Sequence, residues 1–281
     1  MEWFEETLWP NWAQRIRVKE VLFHEKTELQ DLIVFDSWSW GRVLALDGVV
    51  QVTTADEFIY HEMMIHPAVL AHGRVQELLI IGGGDGGCLR EACRHPGIRR
   101  ITQVEIDAGV IEFCRRFLPT VSAGAYDDPR ARIVIADGAA FVRECTDRFD
   151  VIVVDSTDPR GPGEVLFTAE FYRACRALLR PGGIMVTQCG NPAIYPDELV
   201  FTQERQRQAG FADVSYFFAP VPTYIGANMA LGWASDEPAH RLVEPPVLAA
   251  RGVPAGLRHY TPEIHRAAFA HPAWLIERVG R

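Results

Sequence analysis

No apolar run in the chain approaches the roughly 18 residues needed to span a bilayer, so no membrane-crossing helix is expected. The opening residues, Met1-Glu2-Trp3-Phe4-Glu5-Glu6, are acidic and lack the basic region that begins a secretory signal. Cysteine is present but never as a Cys-x-x-Cys pair. Cys88, Cys93, Cys114, Cys145, Cys175 and Cys189 sit mostly in apolar or helical contexts and read as small core residues in a reducing compartment. A zinc site is therefore not expected, and the cytoplasm is the expected location. Basic residues are in deficit: 28 Lys and Arg face 37 Asp and Glu, a formal net charge of -9. A phosphate-binding partner needs a basic face, so nucleic acid is not the expected partner, whereas a cationic substrate is compatible. Repeats, low-complexity tracts and long linkers are absent as well.

What is present is a globular composition. The chain has 281 residues, of which 48% are hydrophobic and 23% charged. That is enough for one large domain, or one domain plus a small one. Residues 15 to 54 read as short strands, among them 32–35, 42–46 and 49–52, with Asp47-Gly48 as a hairpin turn. The reading places a small antiparallel β domain over 1–54. Residues 55 to 72 look helical. From 77 onward strands and helices alternate: 78–81, 101–105, 132–136 and 150–154 as strands, 107–117 and 138–145 as helices. Pro181-Gly182-Gly183 reads as a turn feeding a strand at 184–187, and strands at 214–218 and 229–234 precede short helices. The expected fold over 55–281 is a doubly wound, Rossmann-like, mostly parallel sheet of methyltransferase type, covered on both faces.

The chemistry begins at Gly82-Gly83-Gly84-Asp85-Gly86-Gly87, directly after the first buried strand. Gly82, Gly84 and Gly87 satisfy the G-x-G-x-x-G spacing, which lets the backbone turn tightly beneath a ligand. Glu105 ends the next strand, 20 residues after Asp85, where an acid bridges ribose hydroxyls. Asp85 inside the loop repels a pyrophosphate, so a nucleoside carrying a cation and no phosphate suits it better than a dinucleotide. Adenosyl sulfonium compounds have those properties. Asp137 and Asp155 end two further strands, so Asp85, Glu105, Asp137 and Asp155 are expected to line one crevice at the carboxyl ends of the sheet. Any one of them alone reads equally well as a helix cap or a turn acid. Asp137-Gly138 is placed to accept from an adenine amino group.

The segment Asp155-Ser156-Thr157-Asp158-Pro159-Arg160-Gly161-Pro162-Gly163 puts two acids in a punctuated loop after a central strand. It reads as a capped loop or, more sharply, as a site for a cationic amine in which one acid is also the base. Tyr60, His61 and Tyr224 would add aromatic and polar walls.

On these residues the chain resembles bacterial spermidine synthases over essentially its whole length. The matching stretches include His24 to Thr27, Leu44 to Gln51, Asp56 to Met64, the Gly82 to Gly87 loop, Val104 to Asp107, Tyr126 to Pro129 and Asp155 to Pro162. The resemblance implies transfer of an aminopropyl group from decarboxylated S-adenosylmethionine, a co-substrate and not a prosthetic group, to putrescine. It implies Asp155 as proton acceptor, Asp85 and Asp158 on the aminopropyl and diamine groups with His61 beside them, and Ser156 and Thr157 in the same loop. It implies Gln30, Gly82, Gly84, Glu105, Asp137, Gly138 and Pro162 around the nucleoside, and Tyr60, Tyr224 and Trp9 as the diamine wall. No metal is required, because a sulfonium is already a good leaving group. A homodimer or homotetramer is implied, with the N-terminal hairpin as interface. The rivals are an S-adenosylmethionine-dependent putrescine N-methyltransferase, whose uncut donor carries a carboxylate that Asp85 would repel, a nicotinamide-dependent oxidoreductase, and a non-catalytic polyamine-binding protein.

Overall fold

The computed structural model describes residues 1–9, 11–26, 31–157 and 161–279, leaving aside the side chains of 7, 9, 161 and 162. The chain opens with a five-stranded antiparallel sheet made of β1 (Trp3–Trp9), β2 (Trp12–Lys26), β3 (Asp31–Ser37), β4 (Arg42–Leu46) and β5 (Val49–Thr53), in that spatial order. Asp47 and Gly48 take φ of 49° and 77°, the left-handed pair that a two-residue hairpin between β4 and β5 demands. The hairpin of β1 and β2 extends the sheet beyond the strands expected from residue 15 onward. Glu5-Glu6 hides the alternation of β1 in the sequence. In the fold Glu6 is buried beside Phe4, and the Gln14 side-chain amide donates to its carboxylate.

The second sheet has seven strands: β6 (Glu77–Gly82), β7 (Arg100–Glu105), β8 (Ala131–Ile135), β9 (Phe149–Asp155), β10 (Leu179–Gln188), β11 (Asp213–Ala219) and β12 (Met229–Ser235). Their spatial order is β11-β12-β10-β9-β6-β7-β8, parallel except that β12 runs antiparallel to both neighbours. This is the doubly wound, methyltransferase-type sheet. The chain winds outward from β6 in one direction and from β9 in the other, so the crevice between those two strands is the topological switch point where ligands bind in such sheets. The expected turn at Pro181-Gly182-Gly183 lies within β10, where the register against β9 shifts between Leu179 and Ile184. Pro181 has no N–H to give the ladder and Gly182 sits at φ 80°, so the strand bulges instead of ending.

The helices are α1 (Glu57–His72), α2 (Gly87–Cys93), α3 (Ala108–Phe117), α4 (Pro119–Ser122), α5 (Gly138–Glu144), α6 (Ala169–Leu178), α7 (Pro196–Gln208), and the short α8 (Pro245–Ala250), α9 (Pro262–Ala268) and α10 (Ala273–Val279). Strand alternation divides the core. Leu78, Ile80, Val151 and Val153 face α1 and α2, while Leu79, Ile81, Ile152 and Val154 face α5 and α6. Each such fully buried aliphatic contributes on the order of 1.5–3 kcal/mol. The small sheet is fastened to the larger body by Leu32, Val34, Leu44 and Val52 packing on Cys114, Leu118 and Val121. All six cysteines are unpaired. Among the described residues no helix is long and apolar enough to cross a membrane.

Candidate active site

The glycine loop is shaped by what it must pass. Gly82 and Gly83 have φ of 83° and 65°, and the Gly83 amide donates to the Asp155 carbonyl at 2.9 Å. A Cβ on Gly82 would collide with that carbonyl, and one on Gly87 would collide with the imidazole of His61. Gly84 leaves room for Glu105, whose Oε2 would lie 2.8 Å from a Cβ there. Gln103 Nε2 donates to the carbonyls of Gly82 at 3.0 Å and Gly83 at 2.6 Å, and the Tyr126 hydroxyl donates to that of Gly84 at 2.7 Å. Four glycines and two buried polar side chains thus hold the loop beneath the crevice.

Asp85 turns inward. It accepts from the Gly87 amide at 2.7 Å and pairs with His61 Nε2 at 3.2 Å. The other ring nitrogen of His61 lies 2.6 Å from Glu57 Oε2, one helical turn earlier on α1. Both ring nitrogens therefore face carboxylates, which accept hydrogen bonds, and the ring is an imidazolium. Burial alone would lower its pKa, but Asp85 and Glu57 outweigh burial and raise it well above the ordinary histidine value. Burial works to raise the Asp85 carboxyl, and His61 with the Gly87 amide more than reverses that, leaving it below the usual range. Glu57 also receives both terminal nitrogens of Arg90 at 2.9 Å, and it too is held low against the opposing effect of burial.

Asp155 ends β9 opposite Gly82 and receives the Tyr60 hydroxyl at 2.8 Å. Its carboxyl is raised, first by burial and then by the negative charge of Asp85, with His61, Tyr60 and Cys88 acting in the other direction. The Tyr60 ring meets that of Tyr224 edge to face, centroids 5.9 Å apart, and the Tyr224 hydroxyl donates to the Gln51 carbonyl at 2.7 Å. Glu105 is buried at the end of β7, accepts from the Asp107 amide at 3.1 Å, and is raised chiefly by burial.

Family models match the chain over most of its length. Residues 57–243 match the Spermine/spermidine synthase domain, and residues 2–54 match the Spermidine synthase tetramerisation domain. The chain belongs to the spermidine synthase family. It is 52% identical to the polyamine aminopropyltransferase of Pectobacterium carotovorum over 276 residues, 98% of this chain and 96% of that one. It is 53% identical to that of Klebsiella pneumoniae over 279 residues, 99% of this chain and 97% of the other. Among solved structures it is similar to a spermidine synthase in complex with the transition state analogue AdoDATO, with 34% identity, a TM-score of 0.93 and coverage of 99% of this chain and 94% of that one. It is likewise similar to the spermidine synthase of Thermotoga maritima, with 32% identity, a TM-score of 0.90 and the same coverage. The protein is a transferase of the aminopropyl-transferring type, working on a methyltransferase-like fold.

Within this family fold, the residues singled out in the sequence are distributed unevenly. Tyr60, His61, Asp85, Asp155 and Tyr224 form one connected group, with Gly82, Gly84 and Glu105 beside it. Asp137 stands one strand further out. One of its oxygens accepts from the Ala140 amide at 2.7 Å and caps α5. Gly138 lets α5 pack close, since a Cβ there would lie 2.5 Å from Ile81 Cγ2. Ser156 has a buried hydroxyl with no partner, and Thr157 is exposed. Gln30 and Asp158 lie outside the described residues, as do the side chains of Trp9 and Pro162.

The sequence reading missed Glu57, Arg90, Gln103 and Tyr126. Only Glu57 left a usable signal, since it stands four residues before His61 and so shares its helix face. Cys88 was read as a core residue, and it is fully buried. It also lies at the site, where His61, Cys88 and Asp155 each offer a ligand atom, all within 4.8 Å of one another. They suit a metal ion poorly. The histidine is engaged at both nitrogens, and burial with the nearby carboxylates pushes the thiol well above its ordinary range.

Proposed function

We propose that the protein transfers the aminopropyl group of decarboxylated S-adenosylmethionine to putrescine, giving spermidine, methylthioadenosine and a proton. The observation that carries this reading is the Asp155 carboxylate, raised in pKa and held by Tyr60 beside the ion pair of Asp85 and His61. A primary alkylammonium has a pKa near 10 and at neutral pH has no lone pair to attack with. Asp155 takes one proton from it. The freed amine attacks the propyl carbon, a C–N bond forms, and the C–S bond breaks with its electron pair kept by sulfur. A base positioned in this way adds about 10²- to 10⁴-fold, and a raised carboxyl is better matched to neutral pH than an ordinary one. Alignment of the two reactants contributes on the order of 7 to 11 kcal/mol in ideal cases.

In this scheme Asp85, Asp158 and His61 meet the aminopropyl and diamine ends, with Ser156 and Thr157 in the neighbouring loop. Glu105 takes the ribose, while Gln30, Gly82, Gly84, Asp137, Gly138 and Pro162 surround the nucleoside. Tyr60, Tyr224 and Trp9 wall the diamine channel. Arg90 offsets Glu57 and the imidazolium of His61 offsets Asp85, so the charge left to attract ammonium centres is that of Asp155. Residues 1–54 act as an N-terminal β domain that joins copies of the chain into a homodimer or homotetramer, residues 55–281 as the catalytic domain, and the enzyme works in the cytoplasm.

Mass spectrometry of products from decarboxylated S-adenosylmethionine and a panel of amines tests this reading. Spermidine and methylthioadenosine from putrescine are expected, with spermidine a much poorer acceptor. Faster turnover of spermidine than of putrescine overturns the acceptor assignment.

A further inference from the structure

Asp56 stands at the N-cap of α1, a position where an aspartate normally turns its carboxylate onto the first free amides of the helix. Here it makes no such bond. The side chain points away from the helix and is 4% exposed. Its Oδ1 accepts from the Thr53 hydroxyl at 2.6 Å, and its Oδ2 accepts from the Thr223 amide at 2.9 Å. The Thr223 hydroxyl lies within hydrogen-bonding reach of both oxygens, at 2.9 and 2.7 Å. Thr53 and Thr223 are as deeply buried, at 1% and 2% exposure. Gln14 Nε2, from β2, donates to the Thr223 carbonyl at 2.7 Å. A buried carboxylate is thus satisfied by neutral donors from two parts of the chain, Thr53 and Thr223, at the cost of the helix cap it would otherwise form.

What these bonds hold is the approach of two tyrosines. Tyr60 is one turn along α1 from Asp56, and Tyr224 is the residue after Thr223. Their rings meet at 5.9 Å, and Tyr60 in turn holds Asp155. The 221–227 turn is otherwise tied by Gln14 to the Thr223 carbonyl, by the Tyr224 hydroxyl to Gln51 and by the Asn191 side-chain amide to the Ile225 carbonyl. Asp56 joins it to the start of α1.

We infer that Asp56 is a positioning residue for the acceptor-amine wall: by gripping Thr223 from the first turn of α1 it sets the separation of Tyr60 and Tyr224, and hence how closely the wall fits the diamine. This rests on the reading of those tyrosines as the diamine wall. The nucleoside side of the crevice, built from the glycine loop and Glu105, does not depend on it.

The test uses the full chain with Thr223→Val, which keeps the side-chain shape and removes the hydroxyl. The KM for putrescine is expected to rise about tenfold, the effect of one lost hydrogen bond to a charged group. The kcat should stay within about twofold and methylthioadenosine affinity should be unchanged, because the donor side is untouched. Thr223→Ser, which restores the hydroxyl, should return KM to near the starting value. Asp56→Asn, which sets an NH₂ or a neutral oxygen against the Thr223 amide, should repeat the KM effect.

Backbone hydrogen exchange supplies a readout independent of turnover. The amides of 221–227 should exchange faster in Thr223→Val while those of β6 and β9 do not change. Unchanged KM with unchanged exchange overturns the inference, as does an equal loss of methylthioadenosine affinity. Should the unaltered enzyme transfer to no diamine while the 221–227 amides still respond, the lock stands and the acceptor reading falls.

Discussion

The hydroxyl of Tyr60 donates to Asp155 across 2.8 Å, joining a helix that begins at the edge of the small sheet to the central strand of the large one. The bond lowers the Asp155 pKa against burial and the charge of Asp85, which raise it. Tyr60→Phe removes that one donor. The Asp155 carboxyl should rise further, so the acidic limb of the kcat/KM profile should move to higher pH, and kcat/KM at neutral pH should fall about tenfold. A pH–rate series on both proteins checks it, and a limb that stays in place would separate Tyr60 from the base.

Asp155→Asn keeps the size of the side chain and loses its proton-accepting power. The rate at neutral pH should fall by about 10²-fold or more. Raising the pH supplies free amine from solution, so part of the deficit should return as pH nears the pKa of the amine. Methylthioadenosine binding should change little, which distinguishes loss of the base from loss of the fold. Near-normal turnover at pH 7 would transfer the role to Asp158.

Asp85→Asn removes the negative neighbour that helps raise Asp155. The acidic limb should therefore move to lower pH, opposite to the Tyr60→Phe shift. The preference for the decarboxylated donor over S-adenosylmethionine should narrow as well, because the repulsion of a donor carboxylate is gone. Steady-state assays with both donors across pH measure the two effects in one experiment.

His61 is raised well above its ordinary value of 6.5 in the fold. Above pH 6.5 the folded state then binds a proton that the unfolded state has lost, so stability falls as pH rises. The contribution of His61 is fully present below 6.5 and disappears as pH climbs through the folded-state value. The Tm gap between the native protein and His61→Gln should be largest below pH 6.5 and should shrink above it. A gap that widens with pH would mean the ring is neutral.

Gly84→Ala places a Cβ 2.8 Å from Glu105 Oε2 and from Val110 Cγ1. Displacing Glu105 should weaken methylthioadenosine binding roughly tenfold, in line with the usual cost of overpacking. Isothermal titration reads this directly, and the KM for the amine should move much less.

The sequence by itself determined the sheet and its chemistry-bearing edge. Short continuous apolar runs such as Leu78 to Ile81, rich in isoleucine and closed by a glycine loop, read as strands buried on both faces, and the acids that follow such runs, Glu105, Asp137 and Asp155, then stand at the carboxyl ends. Asp47-Gly48 likewise demanded a hairpin, because few other pairs tolerate positive φ at both positions. What the sequence could not determine was which of those acids would meet. Asp137 carries the same local signal as Asp155, yet one caps α5 at the far side of β7 while the other lies against Tyr60 from α1. The Glu57–His61–Asp85 chain and the Asp56–Thr223 tie join residues 24 and 167 positions apart, counted from His61 to Asp85 and from Asp56 to Thr223. No local pattern encodes such distances. Charge and protonation at the site follow from those meetings, since burial and neighbouring carboxylates exist only once α1, the glycine loop and β9 have packed together.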